Sequence, residues 1–362
     1  MSLETWYALV VMLAALAAIP AVVGMERVGW ALGLVDRPRP GEVQHRPLAR
    51  TGGYGVFIAF WAAIGASFLL APSNLERLPA DNWRLLGLLL GSLVIIPLAL
   101  LDDFKRLGPA PQIVGHFVIA TIPVLFGLRV EELATPFGIL AIPAPLAGPL
   151  AALWIVGMIN AINFIDTMDG LASGVGVIAA GVLFLRSAWF GQASIAVLPL
   201  ALAGACAGFL TRNWPPARVI LGSSGSLFLG YVLGATAVIG GAKIGTAFLV
   251  LAVPILDVAW VVYRRVAEHR SPFRGGDSAH LAHRLRLLGF ADSTIALTLY
   301  AITAAVGAAI LLSHTPLPTL GKLYLAAAVI AAVSALLIGV NRAASARLRK
   351  QQTEPSVPDP VD

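Results

Sequence analysis

The chain has 362 residues, of which 58% are hydrophobic and only 12% are charged. A soluble domain carries about 25% charged residues, so this composition excludes a water-soluble globular protein. The formal net charge of +6 reads as basic loops beside a membrane rather than a nucleic-acid footprint, and no nucleic-acid partner is expected.

Taken in chain order, the first apolar run follows Met1-Ser2-Leu3-Glu4. That start lacks the positive n-region of a signal peptide, and the run is too long for an h-region, so a retained first helix is expected. Eleven stretches approach the roughly 20 residues needed to cross hydrocarbon. They lie at about 5–25, 52–71, 84–101, 112–128, 146–163, 170–190, 193–211, 219–240, 243–263, 293–313 and 320–340. Several neighbours are separated by only a few residues, which leaves ten spans as the alternative count. The expected class is an all-α polytopic membrane protein of about eleven transmembrane helices. Residues 1–350 would form one transmembrane domain, and the polar tail 351–362 would be disordered. The single cysteine, Cys206, lies inside an apolar run and rules out an intrachain disulfide.

Basic residues set the expected orientation. With the N-terminus outside, nineteen of the 25 Lys and Arg residues fall in inner loops or the inner C-terminal tail. The positive-inside rule then makes that side cytoplasmic. Asp102, Asp103, Asp166, Asp169, Asp257, Asp277, His280 and His283 fall on the same side. A transporter is expected to place ionisable groups near the bilayer midplane, so this distribution favours chemistry at the membrane–cytoplasm boundary.

Four constellations carry that chemistry. The first inner loop holds His45-Arg46-Pro47 and then Arg50-Thr51-Gly52-Gly53. Its glycine pair suits either close backbone approach to a ligand or a tight re-entry turn. At the inner end of the third stretch stand Asp102 and Asp103. A carboxylate pair opposes the helix macrodipole there; it is either a solvated helix stop or a group that holds a cation or takes a proton. Asn160, Asn163, Asp166 and Asp169 recur every three residues at the end of the fifth stretch. That spacing can form one polar edge, and a helix cap would account for Asp169 alone. Phosphate or metal handling explains all four.

The fourth constellation is the longest inner loop. Asp257 precedes Arg264 and Arg265, and His280, His283 and Arg284 follow at i, i+3 and i+4. Two imidazoles and a guanidinium on one helical face suit phosphate oxygens. The rival readings are a zinc site, which lacks a nearby third ligand, and a basic loop touching anionic lipid. Asp257 is expected to pair with Arg264 on its own helix. Together the four point to transfer of a phosphate-linked group from a soluble anionic donor to a lipid acceptor.

These residues resemble the polyprenyl-phosphate N-acetylhexosamine-1-phosphate transferases, over about Asp36 to Leu288. The family pattern Asn-x-x-Asn-x-x-Asp-Gly-x-Asp-Gly-Leu stands here as Asn160 to Leu171, and the Asp-Asp pair as Asp102-Asp103. Pro254-x-x-Asp257, Arg264-Arg265 and His280-Leu-Ala-His283-Arg284 are similar to the branch that uses UDP-N-acetylglucosamine. The resemblance implies a reaction dependent on Mg2+, with Mn2+ as an alternative cation. A polyprenyl phosphate of the undecaprenyl kind would attack the UDP-sugar, releasing UMP for envelope-glycan assembly such as lipopolysaccharide or teichoic acid. Asp102 and Asp103 would orient or activate the lipid phosphate, and Asn163 and Asp166 would hold the metal. Asp166 and Asp169 would also position the nucleotide. Asn160, His45, Arg264, Arg265, His280, His283 and Arg284 would bind substrate. The implied location is the cytoplasmic (inner) membrane with the active site on the cytoplasmic face, and a homodimer is one expected assembly.

The sequence departs from that pattern at named places. Family members usually read Phe-x-Gly-Asp where this chain reads Ile220-Leu221-Gly222-Ser223, and a hydroxyl is a poor substitute for a carboxylate on a hard cation. Gln112 and Gln44 stand where lysines are usual, Ala282 replaces a histidine, and Thr167 replaces a glycine. These positions leave two alternatives to catalysis: a polyprenyl-phosphate-binding homologue without turnover, and a transporter or scaffold for lipid-linked sugars.

Overall fold

The structure is a computed structural model, and it describes residues 1–38, 46–72, 75, 79–135, 138–239, 243–269, 280–312 and 319–353. Helix α1 (Leu3–Leu32) begins at Ser2, whose hydroxyl accepts from the Thr5 amide. Short strands β1 (Val35–Asp36) and β2 (Leu48–Ala49) pair antiparallel, Val35 with Ala49 and Asp36 with Leu48. Helices α2 (Gly52–Leu69), α3 (Pro79–Lys105) and α4 (Pro109–Leu125) follow. An antiparallel hairpin, β3 (Glu132–Thr135) with β4 (Gly138–Ala141), leads into α5 (Ala144–Ile165), α6 (Leu171–Trp189), α7 (Ala193–Asn213) and α8 (Gly222–Val238). The chain continues through α9 (Ile244–Val250), α10 (Ala252–Ala267), α11 (Leu281–Leu287), α12 (Asp292–Leu312) and α13 (Thr319–Thr353).

Each of the eleven expected stretches is helical, but they differ in length. Eight helices among the described residues are long and apolar enough to cross a membrane. A ninth candidate is the pair α9 and α10, bent by 73°. The bend follows from Pro254, which lacks an N–H for the carbonyl four residues back and crowds it; Leu251 leaves helical geometry there. Helices α4 and α8 have only 17 residues each. The two small β pairs were not expected from an all-α reading. Helix α13 extends to Thr353, so residues 351–353 continue a helix, and the rest of the expected tail lies outside the described residues.

Large apolar side chains such as Leu69, Leu125, Leu153 and Leu312 point outward, as lipid-facing residues of a multi-pass bundle do. The interior is organised around α8, where every residue from Ser224 to Val238 is buried. Helices α2, α3, α5, α6 and α7 pack against it. Small residues bring backbones together: Gly230 of α8 lies against Met158 and Ile159 of α5, and Gly208 of α7 lies against Ala15 of α1. Such small-residue contacts are the usual adhesive between helices in lipid. The buried hub ends at Gly222-Ser223-Ser224, beside the end of α3 and the starts of α2 and α4.

Candidate active site at the buried start of α8

The site is built where α3 and α5 end and α2, α4, α6 and α8 begin. Its floor is a backbone junction between the first inner loop and the α7–α8 connection. Ile220 N–H donates to Ala49 O at 3.1 Å, and Gly52 and Gly53 donate to Ile220 O and Leu221 O at 3.2 and 2.9 Å. A Cβ on Gly53 would stand 2.0 Å from Gly225 N, so only glycine lets α2 start against α8. This settles the two readings of the glycine pair among the described residues: the close partner is the chain's own backbone. Ile220 serves here through its main chain.

Asp102 is held on both oxygens. Its Oδ1 accepts from Gln112 Nε2 at 2.8 Å and from the Leu107 amide at 3.0 Å; its Oδ2 accepts from Ser223 Oγ at 2.7 Å. The two departures at 112 and 223 therefore meet on one carboxylate. Asp103 differs. Its side chain is 0% exposed, both oxygens lack a hydrogen-bond donor, and its partner is Arg50, with Nε 3.4 Å from Oδ1. Arg50 also approaches Asp36, at 3.8 Å. Tyr54 Oη and Ser224 Oγ are buried without hydrogen-bond partners on the adjoining starts of α2 and α8.

The polar edge expected along Asn160 to Asp169 forms only in part. Asn163 Oδ1 accepts from Ser226 Oγ at 2.8 Å, tying α5 to α8. Asn160 lies further back, donating to Val156 O at 2.7 Å and lying 3.3 Å from His116 Nδ1. Asp166 is the C-cap residue of α5. Burial, and then the Asp169 carboxylate, push its carboxyl up to about 7, against the opposing pull of Arg50. Asp169 accepts from the Ala217 amide at 2.9 Å, and burial raises its proton affinity more than that bond lowers it. Gly170, at φ 74°, makes the turn into α6 in the left-handed region that favours glycine.

Sequence reasoning missed the brace behind this turn. Buried Asn213 accepts from the Gly170 amide and Ser173 Oγ, at 2.9 and 3.0 Å, and donates to Val219 O at 3.0 Å. The available signal was an amide closing an apolar span just before Trp214-Pro215-Pro216. Arg50 was read as part of a turn, and its side chain is the cation among the carboxylates. Arg46 adds a bond to Ala217 O at 2.9 Å.

The histidine segment joins the site through α5. His280 Nδ1 lies 2.9 Å from Asp257 Oδ2, and the Leu281 amide donates to Asp257 Oδ1 at 3.0 Å. The His280 ring stacks on Phe164, between Asn163 and Asp166, at 5.8 Å. Asp257 therefore pairs with His280 and caps α11. The expected Asp257–Arg264 pair is incorrect: Arg264 points two turns further along α10 and binds Glu268 at 2.7 Å. The imidazole wins because Asp257 is buried and His280 can be buried with it, whereas Arg264 stays partly solvated. His283 is half-buried, and burial followed by Arg286 lowers its proton affinity. Arg265 and Arg284 are buried. His45 and Gln44 lie outside the described residues.

No three His, Cys, Asp or Glu side chains among the described residues form a metal-binding group. The donor chemistry nonetheless fits a cation of the magnesium kind. Asp103 has two buried oxygens without donors, and Asp169 raises the cost of ionising Asp166. Magnesium usually takes one or two carboxylates and completes its shell with phosphate oxygens and water.

The family model for glycosyl transferase family 4 matches residues 85–241. The chain is 31% identical to a protein of Bacillus subtilis named as a probable undecaprenyl-phosphate N-acetylglucosaminyl 1-phosphate transferase, over 77% of this chain and 76% of that one. The chain belongs to glycosyl transferase family 4. It is 30% identical to the decaprenyl-phosphate N-acetylglucosaminephosphotransferase of Mycobacterium tuberculosis, over 84% of this chain and 82% of that one. With the undecaprenyl-phosphate alpha-N-acetylglucosaminyl 1-phosphate transferase of Thermotoga maritima it shares 32%, over 69% and 72%. Family membership and the apolar helices make the chain a multi-pass membrane transferase, an enzyme of the glycosyl-1-phosphate kind.

Proposed function

We propose that this enzyme transfers N-acetylglucosamine-1-phosphate from its UDP-sugar to a polyprenyl phosphate of the undecaprenyl or decaprenyl kind, at the cytoplasmic face of the inner membrane. The names of the relatives support the acceptor and the sugar phosphate. The observation that carries the reading is Asp103, a buried carboxylate whose oxygens accept no hydrogen bond among the described residues, paired with Arg50, whose charge also acts on Asp166. Such a group suits a site where further positive charge arrives with a phosphate substrate.

A lipid acceptor is supported by an apolar cavity of about 470 Å³ lined by Leu150, Leu153, Trp154, Met158, Phe248 and Ile255, with Asn160 at its edge. In the proposed reaction an acceptor phosphate oxygen forms a bond to the sugar-bearing phosphorus of the donor. The bridging P–O bond breaks, and its electron pair leaves with UMP. Asp103 would orient the acceptor phosphate and take its remaining proton, and Asp102 would hold Asp103's neighbours in register through Ser223 and Gln112. Arg50 would face the negative charge that gathers on the diphosphate, the main demand in phosphoryl transfer. Asn163 and Asp166 would hold a divalent cation, which when bound neutralises phosphate charge. His280, fixed by Asp257 and Phe164, would meet the donor's sugar-phosphate end.

The test is UMP release and formation of a lipid-linked sugar by purified chain, given undecaprenyl phosphate, Mg2+ or Mn2+, and separate UDP-sugars. Turnover with UDP-N-acetylglucosamine is expected. The reading fails if no UDP-N-acetylhexosamine yields UMP while the acceptor lipid still binds.

A further inference from the structure

A second cavity, of mixed polar and apolar lining, lies between α10 and α13, apart from the site above. It measures about 550 Å³ and is bordered by Trp260 and Arg264 of α10 and by Asn341, Arg342, Ser345 and Ala346 of α13. Trp260 Nε1 is buried without a hydrogen-bond partner, and Asn341 is only 8% exposed. Among the described residues, Asn341, Arg342 and Ser345 have no hydrogen-bond or ion-pair partner in the chain. Arg264 is paired with Glu268, so the guanidinium of Arg342 leaves the cavity net positive. Tryptophan and arginine at helix ends often just snorkel to the interface. That account fits Arg342 but leaves Asn341 unexplained, a largely buried polar side chain that lines the cavity without a partner among the described residues, since such groups are ordinarily satisfied.

We propose that this cavity binds a phosphate group, gripped by Arg342 and Arg264 and fixed by Asn341 and Ser345. Guanidinium groups recognise phosphate oxygens through charge-assisted bonds, and the cavity is large enough for a glycerophosphate headgroup. The phosphate belongs either to an anionic lipid of the surrounding leaflet or to a soluble phosphate ester.

Native mass spectrometry of the delipidated full chain distinguishes the two. Phosphatidylglycerol, phosphatidylcholine and glycerol 3-phosphate are titrated separately, then glycerol 3-phosphate against bound phosphatidylglycerol. A lipid site retains one phosphatidylglycerol in preference to phosphatidylcholine; a soluble-ester site binds glycerol 3-phosphate, which displaces the lipid. In either case Arg342→Gln and Asn341→Leu are expected to weaken binding about ten-fold, the loss of one charge-assisted or partly buried bond. Arg129→Gln, an exposed charge outside this cavity, should leave it unchanged. Wild-type affinity in both cavity variants, equal retention of the two lipids without glycerol 3-phosphate binding, or no binding of any probe overturns the proposal.

Discussion

Ser223 donates its hydroxyl to Asp102 Oδ2 at 2.7 Å, and Gln112 donates to the other oxygen of the same carboxylate at 2.8 Å. In the pattern this chain resembles, those positions carry a carboxylate and a lysine. The two departures thus replace an acid and a base by two neutral donors around one aspartate, and local charge is conserved. Ser223 fills a hydrogen-bonding role that a carboxylate could take only with a cation between it and Asp102.

This relationship sets the expected behaviour of Ser223→Asp. With no added cation, a second carboxylate facing Asp102 should destabilise the chain by about 1–3 kcal/mol, as for a buried acceptor left without its donor. Mg2+ should raise the thermal midpoint of the variant more than that of the wild type. Adding Gln112→Lys should recover much of the loss, with a coupling of at least about 0.5 kcal/mol. Thermal unfolding in detergent, with chelator and with Mg2+, reads both effects. Equal midpoints for wild type and single variant under chelator would rule out the proposed repulsion.

Arg50 is the cation beside Asp103, Asp36 and Asp166. Arg50→Ala leaves the buried Asp103 charge uncompensated, and about 3–5 kcal/mol of stability should go with it. Arg50→Met with Asp103→Asn removes both charges and should restore folding while transfer stays absent. UMP release and chemical unfolding of the three proteins separate the roles. A folded double variant with wild-type turnover would remove both residues from the chemistry.

Much of the site was legible in the sequence because its polar residues interrupt long apolar runs, and polar groups near lipid demand partners. Asp102, Asp103 and the 160–169 edge stand out for that reason. What the sequence could not show is which partner each group finds. Asp257 and Arg264 are seven residues apart on one helix, yet the buried carboxylate turns to His280, 23 residues on. Arg50 looked like part of a glycine turn because the carboxylates it serves come from α3 and the end of α5. The number of spans was also blurred, since α4 and α8 are short and the α9–α10 pair is bent. Helix length follows the apolar pattern, but burial of α8 among its neighbours is a tertiary property.

The Asp166 carboxyl is pushed up to about 7 by burial and by Asp169. A raised carboxyl pKa contributes stability that is fully present below the ordinary value and is lost as pH rises through the folded one. The cation-free chain should therefore lose stability between about pH 4 and pH 7. Cation binding requires the ionised form, so the apparent affinity for Mg2+ should increase over the same range. Asp166→Asn should flatten both profiles. Thermal midpoints across pH, with and without Mg2+, are the measurement, and a wild-type profile as flat as the variant's would contradict the assignment.

Asp257 holds His280 through Oδ2 and the first amide of α11 through Oδ1, so it positions the histidine rather than reacting. Asp257→Asn keeps the shape but cannot accept equally well on both sides, and turnover should fall about 10- to 100-fold, as for loss of an orienting partner. Arg264→Ala should leave this pair intact. A double-mutant cycle on turnover should give a coupling near zero for Asp257 with Arg264. For Asp257 with His280 it should exceed about 1 kcal/mol. Strong coupling to Arg264 and none to His280 would reverse the pairing and return the acid to its own helix.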